Sequence, residues 1–168
     1  MKINLTLLFA LLNGASFGQM ENKEFIAMEY RGMSNLIYRI VVIEDKVIGV
    51  KVSGYISVAN PMGIGRSVAS ESLNDPTAYI DEKMEAKYRG ANFASDSIVT
   101  LDNENFIIRK GDISKCYHNP NKKWGMGYYP HNGRIMIETI KTSTNKRKNR
   151  DLILVGYQDE KEILELLR

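Results

Sequence analysis

Cysteine is nearly absent from this chain: Cys116 stands alone among 168 residues. One thiol cannot close an internal disulfide, so the fold must be held by its core, and the disulfide-stapled class of small exported domains is excluded. A lone cysteine of this kind is expected inside, where it behaves as a small apolar side chain. Tryptophan is as scarce, with Trp124 alone. Long apolar runs are also missing. The stretch from Leu5 to Leu12 is far short of the roughly 20 residues a membrane-spanning helix needs. Nor does one sign of charge dominate: 23 Lys and Arg against 20 Asp and Glu leave a net charge of +3. That excess is too small for a phosphate-tracking surface, which excludes nucleic acid as the expected partner.

What is present begins with a leader. Lys2 supplies a positive start, Leu5 to Leu12 the apolar segment, and Ser16-Phe17-Gly18 the small residues read by a signal peptidase,. Cleavage after Gly18 is expected, giving an exported protein, periplasmic or extracellular. No cysteine lies near the cut, so the segment offers no lipoprotein anchor. About 150 residues then remain, 19–168, the size of one domain with a sizeable core.

Most of that domain reads as short strands. Phe25 to Arg31 alternates, with Ile26, Met28 and Tyr30 on one face. Leu36 to Ile43 and Val47 to Val58 are β-branched runs joined by Glu44-Asp45-Lys46, the pattern of an antiparallel meander,. Gly49 and Gly54 inside the third run suggest a bulge or bend. Residues 59–95 break the pattern as an insertion. Within it Asp75 and Pro76 start a helix expected to reach about Arg89, with Ile80, Met84 and Tyr88 as its buried stripe and Gly90 as its end,. Strands resume at Ser97 to Leu101, Asn105 to Arg109, Ile113 to His118, Arg134 to Ile140 and Asp151 to Tyr157. Asn132-Gly133 marks a tight hairpin. Asp159, with Glu162 three residues on, begins a closing helix whose Ile163, Leu164, Leu166 and Leu167 require it to dock,.

The residues Tyr38-Arg39-Ile40-Val41-Val42-Ile43, the run Ile48 to Gly54 and the ending Leu152 to Asp159 leading into Ile163-Leu164 resemble bacterial pleckstrin-homology-like (PH-like) proteins of unknown function. The resemblance spans roughly residues 24–168. It implies a mainly β fold: a bent antiparallel barrel of about seven strands, one helical insertion, and a C-terminal helix capping one open end. A lipocalin-like small barrel is the alternative. The resemblance also implies a binding module for lipid headgroups, peptides or proteins. Inositol phosphates fit poorly, because the loop Gly32-Met33-Ser34-Asn35 carries no charge and only Arg31 and Arg39 flank it.

The densest unusual segment runs from Lys122-Lys123 through Trp124, Tyr128 and Tyr129 to His131. Rings offer large contact area at low entropic cost, and the adjacent cations suit an anionic or peptide partner. These six residues are the expected ligand site; the plain alternative is that the rings fill the barrel. Cys116 with His118 or His131 would suit a small hydrolase, but on a straight strand Cys116 and His118 lie about 7 Å apart, long for a hydrogen bond. Their spacing matches no common zinc motif, and neither metal nor cofactor is expected. Gly63-Ile64-Gly65-Arg66-Ser67 lacks the remaining residues of a phosphate loop and reads as flexible insertion,. Lys146-Arg147-Lys148 and Arg150, with Lys141 nearby, read as a solvated hairpin tip,. The expected function is an exported, non-enzymatic binding module for a protein, peptide or anionic ligand, against a hydrolase or a structural envelope subunit. Intact mass of the protein recovered from each compartment of its host tests the location: a mature start at Gln19 outside the cytoplasm is expected, and an intact Met1 in the cytosol overturns export.

Overall fold

The computed structural model describes residues 23–31, 34–54, 56–57, 66–122, 130–140 and 148–168. Seven of its strands form one curled antiparallel sheet, a half-barrel. They are β1 (Lys23–Arg31), β2 (Ser34–Ile43), β3 (Lys46–Ser53), β6 (Phe106–Arg109), β7 (Ile113–Asn119), β8 (His131–Thr139) and β9 (Asn149–Val155), in the spatial order β6-β3-β2-β1-β9-β8-β7. Two further strands of two residues each, β4 (Ile56–Ser57) and β5 (Arg66–Ser67), pair in parallel beside it. First and last strands meet at the centre, Ala27 opposite Leu154 and Met28 opposite Ile153. The sheet thus closes the chain on itself, and α2 (Glu160–Leu167) caps its concave side. The resemblance implies a mainly β fold of about seven antiparallel strands with a C-terminal helix, and the structure has one, its sheet curled into a half-barrel.

Both faces of the central strands are buried. Phe25 and Ala27 join Tyr38, Ile40, Phe106 and Leu154 in the concave core, where Ile163 and Leu167 of α2 also pack. Ile26, Met28, Ile37 and Val50 point the other way and are covered by Val68, Tyr79, Ile80 and Tyr88 of the insertion and by Ile98 just after it. A sheet covered on both sides needs apolar residues at consecutive positions, which is why the runs around Ile40 and Ile48 scarcely alternate. The insertion is therefore a lid on the convex face rather than a surface appendage.

Within the insertion the expected single helix is broken. Asp75 caps as predicted, accepting from Thr77 N at 2.8 Å, but the turn Pro76–Tyr79 stops at Ile80, whose backbone is extended. Asp81 N donates to Val52 O at 2.8 Å, pinning the chain to β3, and the Asp81 carboxylate caps a second start, α1 (Glu82–Glu85). A 3₁₀ turn, Ala86–Tyr88, follows, and Gly90 takes the expected left-handed conformation at φ 75. The second cap aims Ile80 and Tyr88 into the core while Met84 stays half-buried. Residues 96–100 form a 3₁₀ turn, not a strand, because Ser95 caps them by accepting from Ser97 N at 3.2 Å. The third run ends at Ser53, and its bulge lies opposite Ile37 and Tyr38 rather than at Gly49. Gly49 has another reason: it faces Phe106 across β3 and β6, and the Phe106 ring occupies the space a Cβ would take.

That ring organises the concave core. The Arg150 guanidinium stacks 3.9 Å over Phe106, and Tyr38 meets the ring edge-on at 5.3 Å and 68°. Arg150 is thus no part of a solvated tip: it is 1% exposed, although Lys148 beside it is exposed. Lys141, Lys146 and Arg147 lie outside the described residues. Arg150 Nη1 donates to Glu29 Oε1 at 2.7 Å, Arg31 donates to Glu29 Oε2 and Glu104 Oε2 at 2.8 Å each, and Arg31 also donates to the Tyr38 hydroxyl at 3.2 Å. Burial pushes the Glu29 carboxyl up, but the Arg150 charge and the Arg31 hydrogen bond outweigh it and hold the group below its ordinary range. A depressed carboxyl contributes stability that is complete above its unfolded pKa and fades as pH falls through the folded value. Removing Arg150 leaves Glu29 answered by Arg31 alone, a loss of up to about 3–5 kcal/mol, that of breaking a buried pair. Arg150→Met is therefore expected to lower the urea midpoint by that equivalent, Glu29→Gln in the same chain to return part of it, and the parent's stability to decline on acidification below about pH 4.5.

Candidate functional site

The expected ligand segment is described only at its two ends, Lys122 and His131; Lys123, Trp124, Tyr128 and Tyr129 lie outside the described residues. The Lys122 charge contributes to lowering the His131 pKa. Lys122 is exposed and His131 half-buried at the start of β8.

The start of β8 is built around a bulge. Pairing with β9 passes from His131 opposite Val155 to Arg134 opposite Ile153, so one extra residue sits in β8. Asn132-Gly133 therefore lies inside a strand, not at the hairpin turn its dipeptide signal suggests. Gly133 adopts φ 95, and a Cβ there would come within 2.6 Å of Asn119 O and against the His118 ring. Only glycine suits a left-handed bulge position under such a close approach. The tight dipeptide serves a kink in the ladder, because β7 supplies the walls that hold it.

The kink fixes two imidazoles. His118 Nε2 donates to Asn132 O at 2.5 Å, which assigns its proton to that nitrogen,. His131 Nδ1 accepts from Gly133 N at 3.0 Å. Burial first, then the neighbouring Lys122 charge, lower the His131 pKa, so the ring is neutral at physiological pH,. Its Nε2 therefore carries the proton, is buried, and meets no hydrogen-bond partner among the described residues.

One residue beyond His131, a cleft of about 420 Å³ opens between β8 and the entry to α2, lined by Asn132, Tyr157, Gln158, Asp159, Glu160 and Lys161. Its floor is tied down. Gln158 extends the β1–β9 ladder with its side chain, accepting from Ile26 N at 2.9 Å and donating to Ile26 O and Val155 O at 2.8 Å each. Asn132 Nδ2 donates to Gln158 O at 2.7 Å. Asp159 caps α2 by accepting from Lys161 N at 2.9 Å and Glu162 N at 3.1 Å, as its spacing predicts. Tyr157, by contrast, is 65% exposed on that rigid floor. In the sequence Tyr157 reads as the end of a strand. Its one signal was a large ring placed between a buried strand and a helix cap.

The hydrolase constellation is less well assembled. Cys116 packs half-buried against the concave core, and burial pushes its thiol up to about 11. The His118 ring is committed to the β8 backbone. Among the described residues no three His, Cys, Asp or Glu side chains are grouped to hold a metal, and no helix is long and apolar enough to cross a membrane. Comparison with family models, curated proteins and solved structures finds no match to the chain. A thiol so far above neutrality is almost wholly protonated. Iodoacetamide at pH 8 should therefore alkylate folded Cys116 at least about tenfold more slowly than the urea-unfolded chain, read by intact mass; equal rates would restore a reactive thiol.

Proposed function

We propose that this chain is an exported, non-enzymatic binding module on a PH-like barrel, docking a polypeptide segment along the 122–131 stretch and the neighbouring cleft. The observation that carries this reading is the exposed Tyr157 on a polar floor shared with Asn132, the residue after His131. Exposed aromatic surface beside fixed hydrogen-bonding groups is the usual composition of a protein-binding hot spot. The cleft mixes Asp159 and Glu160 with Lys161, which suits a peptide better than a strongly anionic ligand. The concave interior is packed with side chains from Phe25 to Leu167, so docking on the outside is favoured over the enclosed pocket of a lipocalin-like barrel. The PH-like resemblance supports the same kind of module, and the leader supports its export. A hydrolase would need a thiolate, and the protonated Cys116 thiol lends that reading no support.

Trp124 is the sole tryptophan, so its emission reports directly on this segment. Peptides selected on the immobilised mature protein are expected to shift Trp124 fluorescence and to lose about tenfold or more in affinity with Tyr157→Ala, at unchanged thermal stability. Trp124→Ala and Tyr128→Ala should likewise abolish binding while the fold survives. A stability loss of about 3–5 kcal/mol in those two variants would instead assign the rings to the core, and selected peptides indifferent to all three changes would overturn the site.

A further inference from the structure

Asn-Gly occurs twice in the chain, at Asn13-Gly14 and at Asn132-Gly133, and the second pair lies among the described residues, in the β8 bulge. An asparagine before glycine readily loses its side-chain amide, because glycine has no Cβ to keep its backbone nitrogen away from the neighbouring carboxamide. The Gly133 nitrogen attacks Asn132 Cγ and gives up its proton, the carboxamide nitrogen leaves as ammonia, and water opens the resulting five-membered imide to aspartate or isoaspartate. Water is the sole co-reactant. In the folded protein both reacting groups are engaged. Gly133 N donates to His131 Nδ1 at 3.0 Å, and Asn132 Nδ2 donates to Gln158 O at 2.7 Å. The Asn132 carbonyl is held as well, accepting from His118 Nε2 at 2.5 Å. The anchor at Gln158 is fixed in turn by the bonds of its side chain to Ile26 and Val155.

We propose that Asn132 is a modification site guarded by the fold: its amide survives while the β8 bulge is closed, and an opening of the bulge allows an irreversible conversion that unlatches β8 from the entry to α2. Ring closure swings the carboxamide onto the Gly133 nitrogen, so it follows release of the bond to Gln158 O. The product does not restore that bond. A carboxylate only accepts, so aspartate sets an acceptor against the Gln158 carbonyl where a donor stood, and an unmatched polar contact of this kind costs more than a missing one. Isoaspartate goes further, because its main chain runs through the side-chain carbon. That adds one backbone atom to β8 at a point where Gly133 is already pressed against Asn119 O and Pro120 of the neighbouring segment. The step and its consequence involve no ligand, and so do not depend on the proposed function.

Tryptic mapping reads this site alone, since cleavage after Lys123 and Arg134 releases a peptide whose sole carboxamide side chain is Asn132. During incubation at mildly alkaline pH, the folded protein is expected to lose this amide at least about tenfold more slowly than the synthetic peptide 124–134 in the same buffer, the margin set by the free energy of local opening. A folded rate equal to the peptide's overturns the guard, and a faster one overturns it in favour of His131 Nδ1 acting as a base on Gly133 N. Gln158→Ala, checked by circular dichroism to be folded, should speed the loss about threefold or more; an unchanged rate would show that the anchor does not protect. The unlatching is tested separately by urea midpoints. Asn132→Asp should fall below Asn132→Ala, which loses the bond without adding an acceptor, and a midpoint for the aspartate equal to or above that of the alanine overturns this part of the proposal.

Discussion

The barrel depends on a charge buried at its centre. Arg150 sits over the Phe106 ring and reaches Glu29, so three strands that are distant in sequence, β9, β6 and β1, are locked through one guanidinium. A buried arginine is costly to desolvate unless its donors are used and its charge answered. Here the answer is shared: Glu29 also receives Arg31, and Arg31 reaches Glu104 and the Tyr38 hydroxyl. Gly49 is part of the same device, because the ring that carries the arginine rests where a Cβ would be. Polar groups that are satisfied only in one arrangement penalise every other strand register. An apolar residue at 150 would fill the space but would not select the register in this way.

That device sits in one face of a sheet whose two faces are both consumed. The concave side is filled and closed by α2, and the convex side is covered by the insertion. With its interior packed, the molecule keeps its unused chemistry at rims, where an element leaves the sheet. One rim lies at the β8 bulge, with Asn132 and the exposed Tyr157. It is fixed from below by backbone hydrogen bonds, through Gln158 to β1. Rigid floors under exposed groups reduce the ordering cost of binding.

Local signals in the sequence succeeded where the physics is local. Asp75, Asp81 and Asp159 cap their turns with their own carboxylates, and the first and third of these were legible from spacing alone. The second was missed because the Ile80, Met84 and Tyr88 period suits a continuous helix just as well. What breaks the helix is the bond from Asp81 N to Val52 O, a contact with a strand almost thirty residues earlier in the chain. Asn132-Gly133 was misread for the same kind of reason. The dipeptide does favour a left-handed conformation, and Gly133 adopts one, but β7 and β9 on either side turn that kink into a bulge. The basic neighbours of Arg150 give it the pattern of a solvated tip. Strand alternation could have placed it on the Leu152 and Leu154 face, yet nothing local names Glu29 as its partner.

The sequence by itself determined that this is a mainly β domain of meandering strands with a helical insertion and a docked terminal helix. Periodicity, turn residues and caps act over a few residues, and their free energies are present before any long-range contact forms. Only the tertiary structure decided which charged side chain is buried, which glycine seats a ring, and which tyrosine stands exposed. Those outcomes rest on pairings such as Glu29 with Arg150, 121 residues apart, and burial is a property of the whole packed sheet rather than of any one segment.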